Sequence, residues 1–130
     1  MSKLLTPLLA HMLGDYVIQT DHMAACKTQA SGPAAAHALS YALPFLALTR
    51  RWQPLAVIVG THFVIDRWRL AKHVCWAKNQ LAPAAYRPGH TATGYSASKP
   101  DWMAFWLLIL SDNTLHGVIN HLALRQWESE

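Results

Sequence analysis

The stretch LAVIVGTHFVIDRWRLAKH, residues 55–73, decides how this chain folds. Up to Ile65 it is apolar except for Thr61 and His62, and beyond Asp66 it turns cationic with Arg67, Arg69 and Lys72. No strict alternation runs through it, so it reads as one long helix, from about Pro54 to Lys78. Within that helix His62 and Asp66 are four residues apart, on one face and one turn from each other, close enough to share a metal ion.

The same spacing recurs on either side. His11 and Asp15 have it near the start of the chain, and Asp112 and His116 have it, in reversed order, near the end. Three of the five Asp therefore have a His at an offset of four, where composition alone gives any one Asp such a neighbour about one time in eight. Coincidence is a poor explanation.

Further helices follow around these pairs. The first is expected over about 4–23, with Pro7 in its first turn, the second over about 33–48, opened by Pro33 and kinked at Pro44, and the fourth over about 100–126, with Asp101 in its first turn. Short connections near 27–32 and 49–53 imply antiparallel neighbours. The expected fold is all-α: a single domain, residues 1–130, forming a four-helix antiparallel bundle. Residues 79–100, with four Pro and Gly between Pro83 and Gly94 and Pro100 at the end, form a long loop, and a loop of that length is a candidate lid.

Each helix is apolar around most of its circumference and polar along one seam. His11, Asp15, Gln19 and His22 line the first; His37 and Tyr41 the second; His62, Asp66, Arg69 and His73 the third; Asp112, His116 and Asn120 the fourth. Such seams converge on a bundle axis, where imidazole and carboxylate groups build metal sites. Burying three Asp without counter-charge costs several kcal/mol apiece, to order of magnitude, and metal ions offset this. Four His (His11, His37, His62, His116) and three Asp (Asp15, Asp66, Asp112) are too many ligands for one tetrahedral ion. Two or three divalent ions, Zn²⁺, Mn²⁺ or Fe²⁺, suit this N/O mixture. The other reading of the same residues is a hydrogen-bonded His/Asp network that locks helices together, or a proton relay.

Composition adds bounds. The 130 residues are 52% hydrophobic and only 14% charged, which excludes a disordered chain. The net charge of +4 is concentrated between Arg67 and Lys99, where Arg67, Arg69, Lys72, Lys78, Arg87 and Lys99 occur with no carboxylate. An anionic partner suits that field, as does a merely solvated surface. Two cysteines, Cys26 and Cys75, without C-x-x-C spacing imply buried thiols in a reducing compartment. The opening residues, Leu4 to Ala10 interrupted by His11 and Asp15, read as a helix rather than a cleavable signal. Six Trp, among them Trp68, Trp76, Trp102, Trp106 and Trp127, suggest interfacial anchors and a membrane-associated protein, inner membrane or peripheral, although the uncharged runs fall short of the roughly 20 residues a span needs. A soluble form with core Trp is the alternative.

Five motifs in order carry a resemblance: HMLGDYVIQTD at 11–21, HALSY at 37–41, THFVIDR at 61–67, TGY at 93–95 and DNTLH at 112–116. With them the chain resembles a bacterial and phage family catalogued as domain of unknown function 3307, usually described as multi-helix membrane proteins. More distantly, its His-x-x-x-Asp pairs resemble those of membrane-bound metal-dependent hydrolases, of zinc-dependent phospholipase C and of related single-strand nucleases. That likeness implies a helical phosphoesterase whose metals are held by His and Asp, although the His-x-x-x-Glu pair of those enzymes is replaced here by Asp112 and His116.

The function expected is metal-dependent hydrolysis of a phosphodiester, nucleotide or lipid head group. His11, Asp15, His37, His62, Asp66, Asp112 and His116 are the candidate ligands, with Asp15, Asp66 and Asp112 as catalytic carboxylates. Arg67, Arg69, Lys72 and Tyr95 are candidates for binding the phosphate, with His90 in the loop that closes over it, and Gln19, Tyr41 and Asn113 for orienting the ligands. The expected partner is an anionic, phosphate-containing substrate, with membrane lipid and a second copy of the chain as further candidates. A non-enzymatic membrane or phage-encoded binding protein is the competing class.

Overall fold

The computed structural model describes residues 5–89 and 92–128, and every regular element in them is helical. Helix α1 spans Leu5–Met12, α2 Asp21–Cys26, α3 Ser31–Tyr41, α4 Trp52–Arg67, α5 Leu70–Asn79 and α6 Asp101–Glu128. The described residues divide into two compact units, one of residues 5–68 and 116–128, the other of residues 69–89 and 92–115. His90 lies outside the described residues.

Two of the expected helices are broken. The first stops being α-helical at Met12, winds on as a π-helical turn over Leu13–Ile18, and ends at Gln19, whose backbone is extended. Gln19 Nε2 donates to the Asp15 carbonyl at 3.0 Å, supplying a donor where the helix has ended. Thr20 then starts α2 by accepting from the Met23 N–H. The third breaks after Trp68, where Arg69 adopts left-handed backbone with φ of 49°. Only tertiary structure makes a non-glycine residue accept that conformation, so no Gly or Pro marked the break in advance. The second helix, expected to run to about 48 with a kink at Pro44, ends instead at Tyr41, and the chain continues as a 3₁₀ segment over Leu43–Ala47 with Pro44 near its start.

In the first unit an apolar cluster of Ala10, Tyr41, Phe45, Ile58 and Ala123 is flanked by Leu48, Leu55 and Trp127. Beside this cluster the interior is polar, with His11, Asp15, His37, His62, Asp66, His116 and Asn120 all buried. In the second unit Ala71, Cys75, Tyr95, Ala104 and Leu108 form a separate core.

The segment expected as a lid belongs to that second unit and is tied down. Trp76 Nε1 donates to the Gly89 carbonyl, Gln80 Nε2 to that of Pro88 and Asn79 Nδ2 to that of Gly94, at 2.9–3.1 Å. Gly94 has a φ of 78°, and a Cβ there would meet the Lys72 carbonyl and the Trp76 amide. Glycine is required at that turn.

A second close approach sets the spacing in the first unit. A Cβ on Gly14 would stand 2.5 Å from Tyr41 Cδ2 and 3.0 Å from the Tyr41 carbonyl, so the π-helical turn touches α3 through a missing side chain. Gly14→Ala should therefore lower stability by about 1–3 kcal/mol, read as a drop in the urea midpoint, because neither a backbone carbonyl nor a fully buried ring can yield.

Candidate metal centre

Four side chains from three elements of the first unit meet at one point. Asp15 comes from the π-helical turn, His37 from α3, and His62 and Asp66 from successive turns of α4. His37 Nε2 and His62 Nε2 are 2.8 Å apart. Asp15 Oδ1 lies 3.1 Å from the first and 3.3 Å from the second. Asp66 Oδ2 lies 3.2 and 3.3 Å from the same two nitrogens. All four atoms fall within 4.8 Å of one another, and all four residues are buried.

Hydrogen bonding alone satisfies this arrangement poorly. An imidazole Nε2 carries at most one hydrogen, yet each of these two faces the other and two carboxylate oxygens. Two hydrogens must serve five short contacts, and Asp66 Oδ2 has no aligned donor. A divalent cation at the centre would accept a lone pair from all four atoms at once. A tetrahedral ion with ligand bonds near 2.0–2.1 Å separates its ligand atoms by roughly 3.3–3.4 Å, close to the spacing found here. The donor set therefore fits a metal such as Zn²⁺, Mn²⁺ or Fe²⁺.

The charges point the same way. Burial works to raise the Asp15 pKa, but hydrogen bonds from His37 and His62, and the charges of His62 and His11, outweigh it and hold the carboxyl well below its ordinary range. The Asp66 pKa is likewise held below its ordinary range, with burial opposed by His116, which bonds to Oδ1, and by the adjacent His37 and His62. Burial works to lower the His37 pKa, but its bonds to Asp15 and Asp66 win and raise it above the ordinary value. The surroundings thus favour both acids in their anionic form and make His37 hold a proton more readily than a free imidazole does.

An outer ring of polar groups fixes the inner four. His62 Nδ1 is 3.2 Å from His116 Nδ1, and His116 Nε2 is 3.1 Å from Asp66 Oδ1. If His62 Nε2 gives its lone pair to a cation, the proton order follows from this network: His62 donates through Nδ1 to His116, which donates through Nε2 to Asp66. That closed relay leaves Oδ2 of Asp66 facing the centre. His11 Nδ1 lies 2.7 Å from the Tyr41 hydroxyl, which also accepts from Asn120 Nδ2 at 2.6 Å. The Tyr41 ring stacks on His62, with centroids 3.6 Å apart and planes 12° from parallel. His37 Nδ1, by contrast, is buried without a hydrogen-bond partner, as is Gln19 Oε1.

Of the seven ligands expected from sequence, the structure brings Asp15, His37, His62 and Asp66 around a common centre and sets His11 and His116 one contact further out. Asp112 and Asn113 lie on α6, with Asp112 one turn before His116. Arg67, expected at a phosphate, is engaged otherwise: its guanidinium donates to the Thr28 carbonyl at 2.8 Å and to Ser31 Oγ at 3.3 Å. Arg69, Lys72 and Tyr95 belong to the second unit, where Tyr95 is buried with the ammonium groups of Lys78 and Lys99 over its ring.

Sequence reasoning missed Lys27. Its Nζ approaches Asp66 Oδ2 to 2.7 Å. No spacing rule finds it, because it lies in the turn after α2 and reaches the centre only through the break at Gln19. Asn120 carried a signal, one helical turn beyond His116.

No curated protein and no solved structure matches this chain. A family model described as protein of unknown function (DUF3307) matches residues 4–87, which include all four residues of the centre. The chain belongs to that family.

Proposed function

We propose that this protein is a metal-dependent hydrolase of a phosphate ester, built on a buried His/Asp centre. The observation that carries the reading is the convergence of two imidazole nitrogens and two carboxylate oxygens at 2.8–3.3 Å inside the first unit. Asp15, His37, His62 and Asp66 would hold the first ion. Asp112, one turn before His116, is the further ligand that the sequence pattern offers for a second. A divalent ion would supply Lewis acidity, polarising a phosphoryl oxygen and making water a better nucleophile at neutral pH.

The protein's own groups do the rest. Asp66 faces the centre through one oxygen and accepts from His116 through the other, so the orientation of its carboxylate is set from outside. His62 is held by stacking on Tyr41 and by His116. Tyr41 is fully buried, and its hydroxyl contacts His11 and Asn120, which suits it to orienting His11 rather than reaching a leaving group.

Among the described residues no helix is long and apolar enough to cross a membrane. A peripheral membrane association is favoured by the exposed apolar side chains of Leu9, Met12, Leu13, Tyr16 and Val17 along the first helical stretch. Co-sedimentation with phosphatidylglycerol vesicles should retain the protein in the pellet, and Leu13→Lys with Val17→Lys should release it; wild type left in the supernatant counts against this placement.

Metal analysis of purified protein should find bound divalent metal at stoichiometric level, lost in His62→Ala and Asp66→Ala. His116→Ala should retain the site with affinity lower by about 10–100-fold, the usual effect of removing an outer partner. With Mn²⁺ or Zn²⁺ supplied, the wild type should hydrolyse bis(p-nitrophenyl) phosphate, and Asp112→Asn serves as the control for a second ion. Metal-free wild type at full stability would sink the proposal; metal without turnover would favour a structural site.

Acidity supplies an independent check. His37 must give up its proton to become a ligand, so metal uptake should release protons, and affinity should fall as pH falls. Calorimetry in buffers of different ionisation heat measures the number released. In the metal-free protein, the Asp15 and Asp66 contribution to stability should be present above about pH 4 and lost as pH falls toward their lowered values. The His37 contribution has the opposite sign: it is complete below about pH 6.5 and lost as pH rises through the raised value. Urea midpoints in chelator should therefore peak between these limits, and Asp15→Asn should flatten the acid limb.

A further inference from the structure

Lys27 is the feature of this centre that the metal reading leaves unused. Its ammonium stands 2.7 Å from Asp66 Oδ2, an oxygen of the inner four, yet that oxygen has no aligned hydrogen bond. The contact is one of charge rather than of direction. Among the described residues no other lysine or arginine pairs with either carboxylate of the centre. The Lys27 side chain is 19% exposed where that of Asp66 is 3% exposed, so Lys27 approaches from the solvent side.

The turn that carries it is anchored. The Lys27 N–H donates to the Met23 carbonyl at 2.9 Å, and Arg67 holds the next residues through the Thr28 carbonyl and Ser31 Oγ. Arg67 directly follows Asp66, so one helix end fixes both the carboxylate and the turn that brings the ammonium to it.

Charge decides what such a lysine does. Asp15 and Asp66 together carry two negative charges, which a divalent ion neutralises. Lys27 then adds a positive charge with no carboxylate left to balance it. We infer that Lys27 is the anion-binding residue of this centre, taking the oxyanion of a phosphate ester beside the metal, and that in metal-free protein it partly substitutes for the missing cation at Asp66. An ammonium suits that role, as a compact point charge with rotatable donors that needs no fixed fork geometry. This inference rests on the metal-dependent reading above.

The test compares wild type, Lys27→Met and Lys27→Arg, first with Mn²⁺ alone and then, metal-loaded, with dimethyl phosphate as the anion. Removing the competing cation should tighten Mn²⁺ binding severalfold in Lys27→Met, measured by chelator competition. The same variant should bind dimethyl phosphate at least tenfold more weakly by calorimetry, and Lys27→Arg should restore most of that loss. A lysine serving only as a structural counter-ion predicts otherwise: Mn²⁺ binding weakened in Lys27→Met, or anion binding unchanged, and either result overturns the inference. Wild type that takes up no Mn²⁺ overturns the metal reading itself, and the role of Lys27 falls with it; wild type that takes up Mn²⁺ but gives the same dimethyl phosphate affinity as Lys27→Met refutes the role of Lys27 alone.

Discussion

Two ionised carboxylates, Asp15 and Asp66, are buried side by side in the first unit, and the rest of that unit is arranged around them. Taking such groups out of water costs several kcal/mol each, to order of magnitude, unless charge and hydrogen bonds meet them. The molecule answers with four imidazoles, His11 beside Asp15 among them, and one ammonium. His37 and His62 reach both acids, His116 reaches the far oxygen of Asp66, and Lys27 arrives from the solvent side. Tyr41, itself held by Asn120, then contacts His11 through its hydroxyl and His62 through its ring. Losing either acid would leave His37 and His62 sharing the one that remains, so each carboxylate depends on the same two imidazoles.

The irregular backbone is what aims these groups. A straight α-helix through residues 5–26 would carry Lys27 onward along its axis. The π-helical turn over Leu13–Ile18 and the extended Gln19 turn the chain, so that Asp15 points inward and Lys27 returns to the same centre. π-helical turns cost hydrogen-bond geometry and tend to persist where function needs a side chain displaced. Gly14, inside that turn, allows the backbone to lie against Tyr41.

The all-helical class and the inner four residues were legible in the sequence, because an offset of four is a property of the helix itself: His62 and Asp66 share a face whatever surrounds them. His37 was legible for a different reason, as the lone histidine of a mostly apolar helix, one turn before Tyr41. The breaks at Gln19 and Arg69 were not. Neither position carries Gly or Pro, the residues that mark a break in a sequence. Hence Lys27 and the engagement of Arg67 with Thr28 and Ser31 could not be read in advance, since both depend on how α2 leaves the first break. The division between ligands and their supports was hidden for the same reason. Spacing places His11 and His116 on the correct faces, but only packing decides that their nitrogens meet Tyr41, His62 and Asp66.

The number of ligands in the inner set separates the two roles a metal could have here. Four protein donors saturate a tetrahedral ion, which is the habit of structural zinc sites. A catalytic role requires an open position, and this donor set leaves one only to an ion that accepts five or six ligands. Mn²⁺ and Fe²⁺ do so readily with oxygen and imidazole donors, and zinc can expand to five. Lys27 bears on that choice. A purely structural ion, neutralised by two aspartates, gains nothing from an extra positive charge 2.7 Å from one of its own ligand oxygens. The same charge is useful where an anion must be drawn to the metal and held. The placement of one lysine therefore weighs toward an open, higher-coordinate ion and a negatively charged ligand, and against a closed structural site.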